Sequence, residues 1–466
     1  MSVAKVRTFT EPPEARVGGG SYRTGELKGI IRINPRHCVG CDTCRKVCPA
    51  GAISGEIGVT HRIEIDRCIN CGQCLTNCPF GAIEQMAFVE EVLRKLGDKE
   101  TLAVAIIAPA VRVAIAEEFG APPGTLTVGR LHKALKEAGF VIYENNFAAD
   151  QTILEEGTEL LGRIAYWLLG LKELEIEVWG KKIKVGLEHF KHKPLPQFTS
   201  CCPAWVRYAE LYYPKVLPHV SSCKSPQQMA GASAKTYGAI DIWKHNPAKV
   251  YTVGIMPCTA KIFEASRPEF CHAQKWLEEH GRLPQRSPRM PDVDAVLTTR
   301  DLAALFRRLN INPLRFPEAE TPQDFEWYSG GATIFGSSGG VMEAAVRFAF
   351  HVLSGEEPDA LSSAWDFKQV RGYTDPVVEA TIQVPLKPAY QKLLGSDRFE
   401  LRVCTVNGIG TEGSHLKPII NDAVAGRSNF HFIEVMTCSG GCLNGGGQPV
   451  NPMGTSWIDP LLPLRL

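Results

Sequence analysis

Five cysteines in three short, widely separated stretches of the chain could do the most demanding chemistry. The stretches are Thr199-Ser200-Cys201-Cys202-Pro203-Ala204-Trp205, Met256-Pro257-Cys258-Thr259-Ala260-Lys261 and Met436-Thr437-Cys438-Ser439-Gly440-Gly441-Cys442. They lie about 60 and 180 residues apart, so only the tertiary fold can gather them. Thiolates suit soft iron sites, and five of them point to one metallocluster. Two consecutive cysteines do not easily ligate the same iron, because adjacent side chains diverge, so either Cys201 or Cys202 needs another role. A free thiol beside a metal can act as acid and base. Gly440, Gly441 and Gly445 to Gly447 would let backbone approach a bulky cofactor.

Eight more cysteines form two runs, Cys38-x-x-Cys41-x-x-Cys44-x-x-x-Cys48-Pro49 and Cys68-x-x-Cys71-x-x-Cys74-x-x-x-Cys78-Pro79, which repeat at a period of 30 residues. This is the bacterial ferredoxin signature, in which the fourth cysteine of each run ligates the other cluster. The spacing assigns Cys38, Cys41, Cys44 and Cys78 to one [4Fe-4S] cluster, and Cys68, Cys71, Cys74 and Cys48 to a second. A zinc reading would need separate tetrahedral sets of four. The third cysteine, the proline and the repeat oppose it. The resemblance to two-cluster ferredoxins covers about residues 30 to 85 and implies a small β/α module that passes one electron at a time.

Elements must position these residues. From Leu102 onward, apolar runs (Leu102 to Ala108, Val250 to Met256, Ala295 to Leu297, Phe432 to Val435) alternate with helical stretches such as Ala110 to Phe119 and Val128 to Ala138. The pattern predicts α/β layers with buried, mostly parallel strands. Cys258 and Cys438 follow where apolar runs stop, and ligands of open α/β sheets bind at such strand ends. Leu174 to Leu187 alternates at period two around Trp179-Gly180, with Glu175 and Glu177 able to face Lys182 and Lys184, which reads as a β-hairpin. The expected organisation is an arm over 1–29, the two-cluster module over 30–90, a catalytic domain over 91–450 with the hairpin inserted at about 165–193, and a tail over 451–466.

The composition narrows the class. With 51 basic and 50 acidic side chains the net charge is +1, so no global field points to nucleic acid or an anionic membrane. No apolar run reaches the roughly 18 to 20 residues of a membrane span. Residues Met1 to Gly20 lack the apolar core of a secretory signal, so the chain is expected in the cytoplasm, or in the periplasm if it is exported with a signal-bearing partner.

The three cysteine stretches resemble the signature loops of the [FeFe]-hydrogenases, and the likeness runs from about residue 30 to residue 450. The resemblance implies a catalytic domain of two lobes with mostly parallel sheets flanked by helices, with the cluster in the cleft between them. It further implies an H-cluster, a [4Fe-4S] cubane joined to a di-iron unit that carries CO, cyanide and an azadithiolate bridge. Cys202, Cys258, Cys438 and Cys442 would ligate the cubane, and Cys442 would also bridge to di-iron. Cys201 would be the proton-shuttling thiol. Lys261 would donate to a cyanide, with Glu264 as its ion-pair partner. Ala108, Pro109 and Ala110 would contact the other cyanide through backbone, and Ser225, Gln227, Met256, Pro257, Phe335 and Met436 would line the pocket. Glu156, Glu159 and Arg163, on one helical face, would form an outer relay reaching Cys201 through Glu156 and Ser221. A solvated acidic face is the plain alternative for these three residues, and an exposed pair is the alternative for Lys261 and Glu264.

The implied activity is H2 = 2H+ + 2e−. The alternatives are a non-catalytic iron-sulfur scaffold or assembly protein, and a hydrogen sensor. A cubane-only protein would have no use for Cys201, Lys261 or the Glu156 relay. Ala204, Thr437 and Ser439 depart from the commonest loops of the family, and the interval from Arg163 to Cys201 is longer by some two dozen residues. The chain stops 17 residues after Pro449, which resembles a large subunit that needs a separate small one. The other expected partners are maturation proteins and a redox protein such as a ferredoxin or cytochrome, or the subunits of a larger complex. Cys223, Cys271 and Cys404 read as small buried apolar residues.

Overall fold

The computed structural model describes residues 7–9, 27, 29–178, 180–285, 287–318, 324–357 and 375–450. Most of the arm read over 1–29, the tail at 451–466 and Trp179 of the hairpin turn lie outside them. The chain divides into two compact units, each assembled from separate segments. One comprises Met1–Ala148, Pro226–Ser329 and Cys442–Leu466, and the other Ala149–Ser225 and Gly330–Gly441.

In the first unit each ferredoxin-type run closes into a one-turn helix, Thr43–Lys46 or Gln73–Thr76. The residues that start these turns, Asp42 (φ 69°) and Gly72 (φ 79°), are left-handed. Strands Arg7–Phe9, Ile83–Met86 and Ile31–Ile33 form one small sheet, and Ile53–Ser54 pairs with Arg62–Ile63 in another. Behind this module stand four parallel strands, in the order Ala295–Thr298, Val250–Met256, Leu102–Ile107, Val141–Glu144. Val250–Met256 is buried along its whole length, as expected for a strand covered on both faces. The helix expected at Ala110 to Phe119 is instead two 3-10 turns, Pro109–Val111 and Ile115–Phe119. Val111, Val113 and Ile115 are β-branched, which slightly lowers the propensity for a regular α-helix.

In the second unit strands Gln197–Phe198, Phe432–Met436 and Arg398–Asn407 run parallel, and Val377–Pro385 closes the edge antiparallel. Most of the helix Asn145–Leu169 belongs here. Its Leu160, Leu161 and Ile164 pack with Met342, Val346, Leu401, Val403 and Phe432 in one core. The hairpin pairs Glu173–Val178 with Lys181–Gly186, Glu175 opposite Lys184. Leu174 and Val185 pack on the core, while Ile183, on the same face two residues nearer the turn, is exposed, so burial fades toward the hairpin tip.

Candidate active site

Two sets of four thiols occupy the ferredoxin-like module. Cys38, Cys41, Cys44 and Cys78 line one cavity together with Val39, His61 and Phe80. Burial, then the facing Cys78, Cys41 and Cys38, push the Cys44 thiol up to about 12. Burial, then Cys71, Cys68 and Cys48, likewise raise Cys74 well above its ordinary value. Among the described residues no three His, Cys, Asp or Glu side chains close on a single metal ion. Thiols grouped around a cavity suit a multi-atom cluster better than a mononuclear zinc.

Elsewhere in the same unit, strand Val250–Met256 delivers Met256, Pro257 and Cys258 to its C-terminal end, and the wholly buried helix Ala260–Ser266 starts directly afterwards. Lys261 Nζ meets Glu264 Oε2 at 2.9 Å, the two side chains only 11% and 6% exposed. Gln227 Nε2 donates to the same carboxylate at 3.0 Å and to the Lys261 carbonyl at 3.3 Å. This excludes an ordinary exposed pair, because charges taken out of water persist only with compensating partners. The loop Ala108 to Ala110 is held by the Ala108 amide donating to Ile255 and by Gln448 Nε2 donating to the Ala110 carbonyl.

The glycines after Cys442 also admit neighbouring protein backbone. A Cβ on Gly445 would lie 2.3 Å from the Pro257 carbonyl oxygen, and one on Gly446 would lie 2.2 Å from that of Cys71. They therefore seam the third cysteine loop to the second and to the ferredoxin-like module. Further ties cross that seam. Thr259 Oγ1 donates to the Asn70 carbonyl at 2.6 Å, Gln73 Nε2 donates to that of Asn444 at 3.0 Å, and buried Arg300 bonds Gln85 and the Gly446 and Gln448 carbonyls. The thiolate of Cys71 feels that of Cys258. The set Cys48, Cys68, Cys71 and Cys74 therefore stands on the Cys258 side of the module.

The second unit carries Cys201, Cys202 and Cys438. The first loop leaves strand Gln197–Phe198 and is pinned by the Val435 amide on Thr199 Oγ1 and by Trp205 Nε1 on the Thr199 carbonyl. Thr437, one of the departures from the family pattern, places its hydroxyl 3.3 Å from Cys202 Sγ. Met436, Phe335 and Ser225 are buried, as Cys438 is. The Gly440 amide bonds Asn407 Oδ1 at 2.6 Å, which holds the third loop against its strand.

On the helix Asn145–Leu169, Glu156, Glu159 and Arg163 are buried, which excludes the solvated-face reading. Arg163 bonds Glu159 Oε1 at 2.6 Å and the Pro194, Pro218, His219 and Val220 carbonyls. Ser221 Oγ donates to Glu159 Oε2 at 2.9 Å, and Glu156 faces the same hydroxyl and the Ser200 amide. Burial, then the charge of Glu159, pushes Glu156 up to about 8. Burial pushes Glu159 upward too, but the charge and hydrogen bonds of Arg163, then Lys193 and the Ser222 amide, bring it below its ordinary value. Glu156 Oε1 meets no hydrogen-bond partner among the described residues.

Sequence reasoning missed several residues. Glu434 accepts from the Gly339 and Met342 amides and orients the turn that follows Phe335. Burial raises it to about 7. Its mark in the sequence is a lone charge inside the apolar run Phe432 to Met436. Gln448, Asn407 and Lys193 carry no comparable mark. Cys404 is buried, as expected. Cys223 and Cys271 are only half-buried, and the Cys223 thiol lies 3.7 Å from Glu159 Oε2.

Comparison with known proteins decides the family. Residues 101–446 match the model for the iron only hydrogenase large subunit, C-terminal domain, and residues 37–83 match that of a 4Fe-4S dicluster domain. The chain belongs to the [FeFe]-hydrogenase family. It is 44% identical over 426 residues to the periplasmic [Fe] hydrogenase large subunit of Nitratidesulfovibrio vulgaris, covering 91% of this chain and 87% of that one. It is 36% identical to iron hydrogenase 1 of Clostridium pasteurianum, covering 81% of this chain and 55% of the relative. A solved [FeFe]-hydrogenase HydA1 from Chlamydomonas reinhardtii in its apo form superposes with a TM-score of 0.62 at 33% identity, over 82% of this chain and 87% of that one. A cytosolic Fe-S cluster assembly factor of Emericella nidulans is more distant, at 29% identity over 75% of this chain and 61% of its own. The protein is thus a hydrogenase with an iron-sulfur domain, an α/β enzyme of mostly parallel sheets. No helix among the described residues is long and apolar enough to cross a membrane.

Proposed function

We propose that this hydrogenase interconverts H2 with two protons and two electrons, with the residues named above in distinct roles. Cys202, Cys258, Cys438 and Cys442 would hold the cubane of an H-cluster, with Cys442 also the tie to its di-iron unit. When bound, that group supplies the open metal position and basic bridge at which H2 is split heterolytically. Lys261, fixed by Glu264 and Gln227, donates to its cyanide, and Ala108 to Ala110 present backbone to it. Cys201 carries the proton between the site and Glu156, Ser221 passes it to Glu159, and Arg163 holds that carboxylate in place. Cys38, Cys41, Cys44 and Cys78 would hold one [4Fe-4S] cluster and Cys48, Cys68, Cys71 and Cys74 a second, on the Cys258 side, and the pair would supply single-electron transfer.

The observation that carries this reading is the buried chain Glu156, Ser221, Glu159 and Arg163. An iron-sulfur scaffold would gain nothing from a carboxyl acid raised to about 8 beside a second one held ionised. The domain limits at about residues 30, 90 and 450 belong to the same reading. So does a partner subunit, because the Nitratidesulfovibrio relative is named a large subunit, and its name also favours the periplasm for the assembled enzyme. The test is the infrared spectrum of the matured protein together with turnover of Cys201→Ala. CO and cyanide stretching bands are expected, and Cys201→Ala should keep its iron and lose turnover by about 10²- to 10⁴-fold. A matured sample without those bands contradicts the reading.

A further inference from the structure

The segment that lengthens the interval between the relay helix and the first cysteine loop ends at Lys193. Its Nζ lies 3.5 Å from Glu159 Oε1 and 2.7 Å from Ser222 Oγ, and that hydroxyl donates to Glu159 Oε2 at 3.1 Å. The Lys193 side chain is 28% exposed, against 6% for Glu159 and none for Arg163. We propose that Lys193 is the outer positioning residue of the proton route, holding Glu159 ionised where the relay meets solvent. This rests on the relay reading above and gives the inserted hairpin segment a role beyond surface decoration.

The relay helix itself fixes where Lys193 stands. After the hairpin the chain makes the 3-10 turn Glu188–His192, whose Phe190 is buried with Ala165 and Leu187. Phe190 lies so close to Gly162 that a Cβ there would sit 2.4 Å from its ring. Trp167 Nε1 donates to the Phe190 and Lys193 carbonyls at 3.1 and 2.9 Å, and Arg163 Nη1 donates to that of Pro194 at 2.9 Å. Gly162, Arg163 and Trp167 all belong to the helix that carries Glu156 and Glu159, so one helix presents the carboxylates and grips the turn that brings the amine. The other groups facing Glu159 are Arg163 and Glu156 from its own helix, and Ser221, Ser222 and the Cys223 thiol from the loop beyond His219.

In hydrogen oxidation, protons travel outward, so Glu159 must be ionised to accept one from the Ser221 side before releasing it to water at Ser222 and Lys193. Dye-linked hydrogen oxidation by matured Lys193→Gln, measured against pH, tests the proposal, with Lys193→Arg as the conservative partner. Lys193→Gln should move the acid limb of the profile up by about half a pH unit, with infrared bands and iron content unchanged. Lys193→Arg should restore the native profile. An unmoved acid limb in Lys193→Gln, or the same shift in Lys193→Arg, overturns it. Glu159→Gln in the same assay separates the two levels, since full turnover there would sink the relay itself whatever Lys193 does.

Discussion

Each unit buries a pair of ionisable side chains three residues apart on one helix, and the two pairs differ in sign. In the first unit Lys261 and Glu264 are opposite charges at 2.9 Å, braced by Gln227. In the second, Glu156 and Glu159 are both acids, and the arginine that answers them bonds only Glu159. The opposite pair is held by mutual attraction and by Gln227, which makes a fixed donor. The like pair cannot comfortably ionise twice, so its members separate, with one near 8 and the other below its ordinary range. Spacing along a helix makes the encounter. In the proposed reading, the sign of the partner decides whether the pair anchors a ligand or moves a proton.

Breaking the anchor should have the largest effect. Lys261→Met leaves Glu264 buried without its counter-charge and should cost about 3–5 kcal/mol of unfolding free energy in a denaturant titration. Much of that should return in Lys261→Met with Glu264→Leu, whereas an equally destabilised double variant would mean that the two charges are not coupled. Next comes the pH dependence of stability. Glu156 is protonated in the folded protein up to about 8 but ionises near 4.5 when unfolded. The stability from this raised acid is therefore full below about 4.5 and fades as pH climbs through about 8. Glu156→Gln lacks that loss, so thermal melts should show the native protein losing ground to the variant by on the order of a few kcal/mol between pH 5 and pH 8. A pH-independent difference would place Glu156 in the ordinary carboxylate range. The smallest effect belongs to the hairpin, where Lys182 and Glu175 pair at 3.0 Å but are 66% and 44% exposed. Lys182→Gln should leave the thermal midpoint close to native and the difference should vanish into error in high salt.

The cysteine runs, the helical face shared by Glu156, Glu159 and Arg163 and the α/β layering were legible because each rests on local spacing, whereas the relay role proposed for that face came from the family resemblance. Two ferredoxin runs, strand ends before Cys258 and Cys438, and a helical i, i+3, i+7 face all leave a mark within a few residues. The hairpin was readable from period two alone. Contacts closed by distant backbone left no such mark. Gly445 to Gly447 read as room for a cofactor, and their neighbours also include the carbonyl of Pro257 and, some 375 residues back in sequence, that of Cys71. Lys193 looked like one more surface lysine until the Phe190 turn set it against Glu159. The helix expected at Ala110 is two 3-10 turns, and its β-branched residues slightly lower a helical propensity that a hydrophobic pattern does not weigh.

The like-charged pair is proposed to carry protons. Hydrogen turnover by matured Glu156→Gln, read alongside its own infrared spectrum, tests it most directly. The expected result is native CO and cyanide bands with turnover lower by about 10²- to 10⁴-fold; full turnover with native bands would contradict the claim.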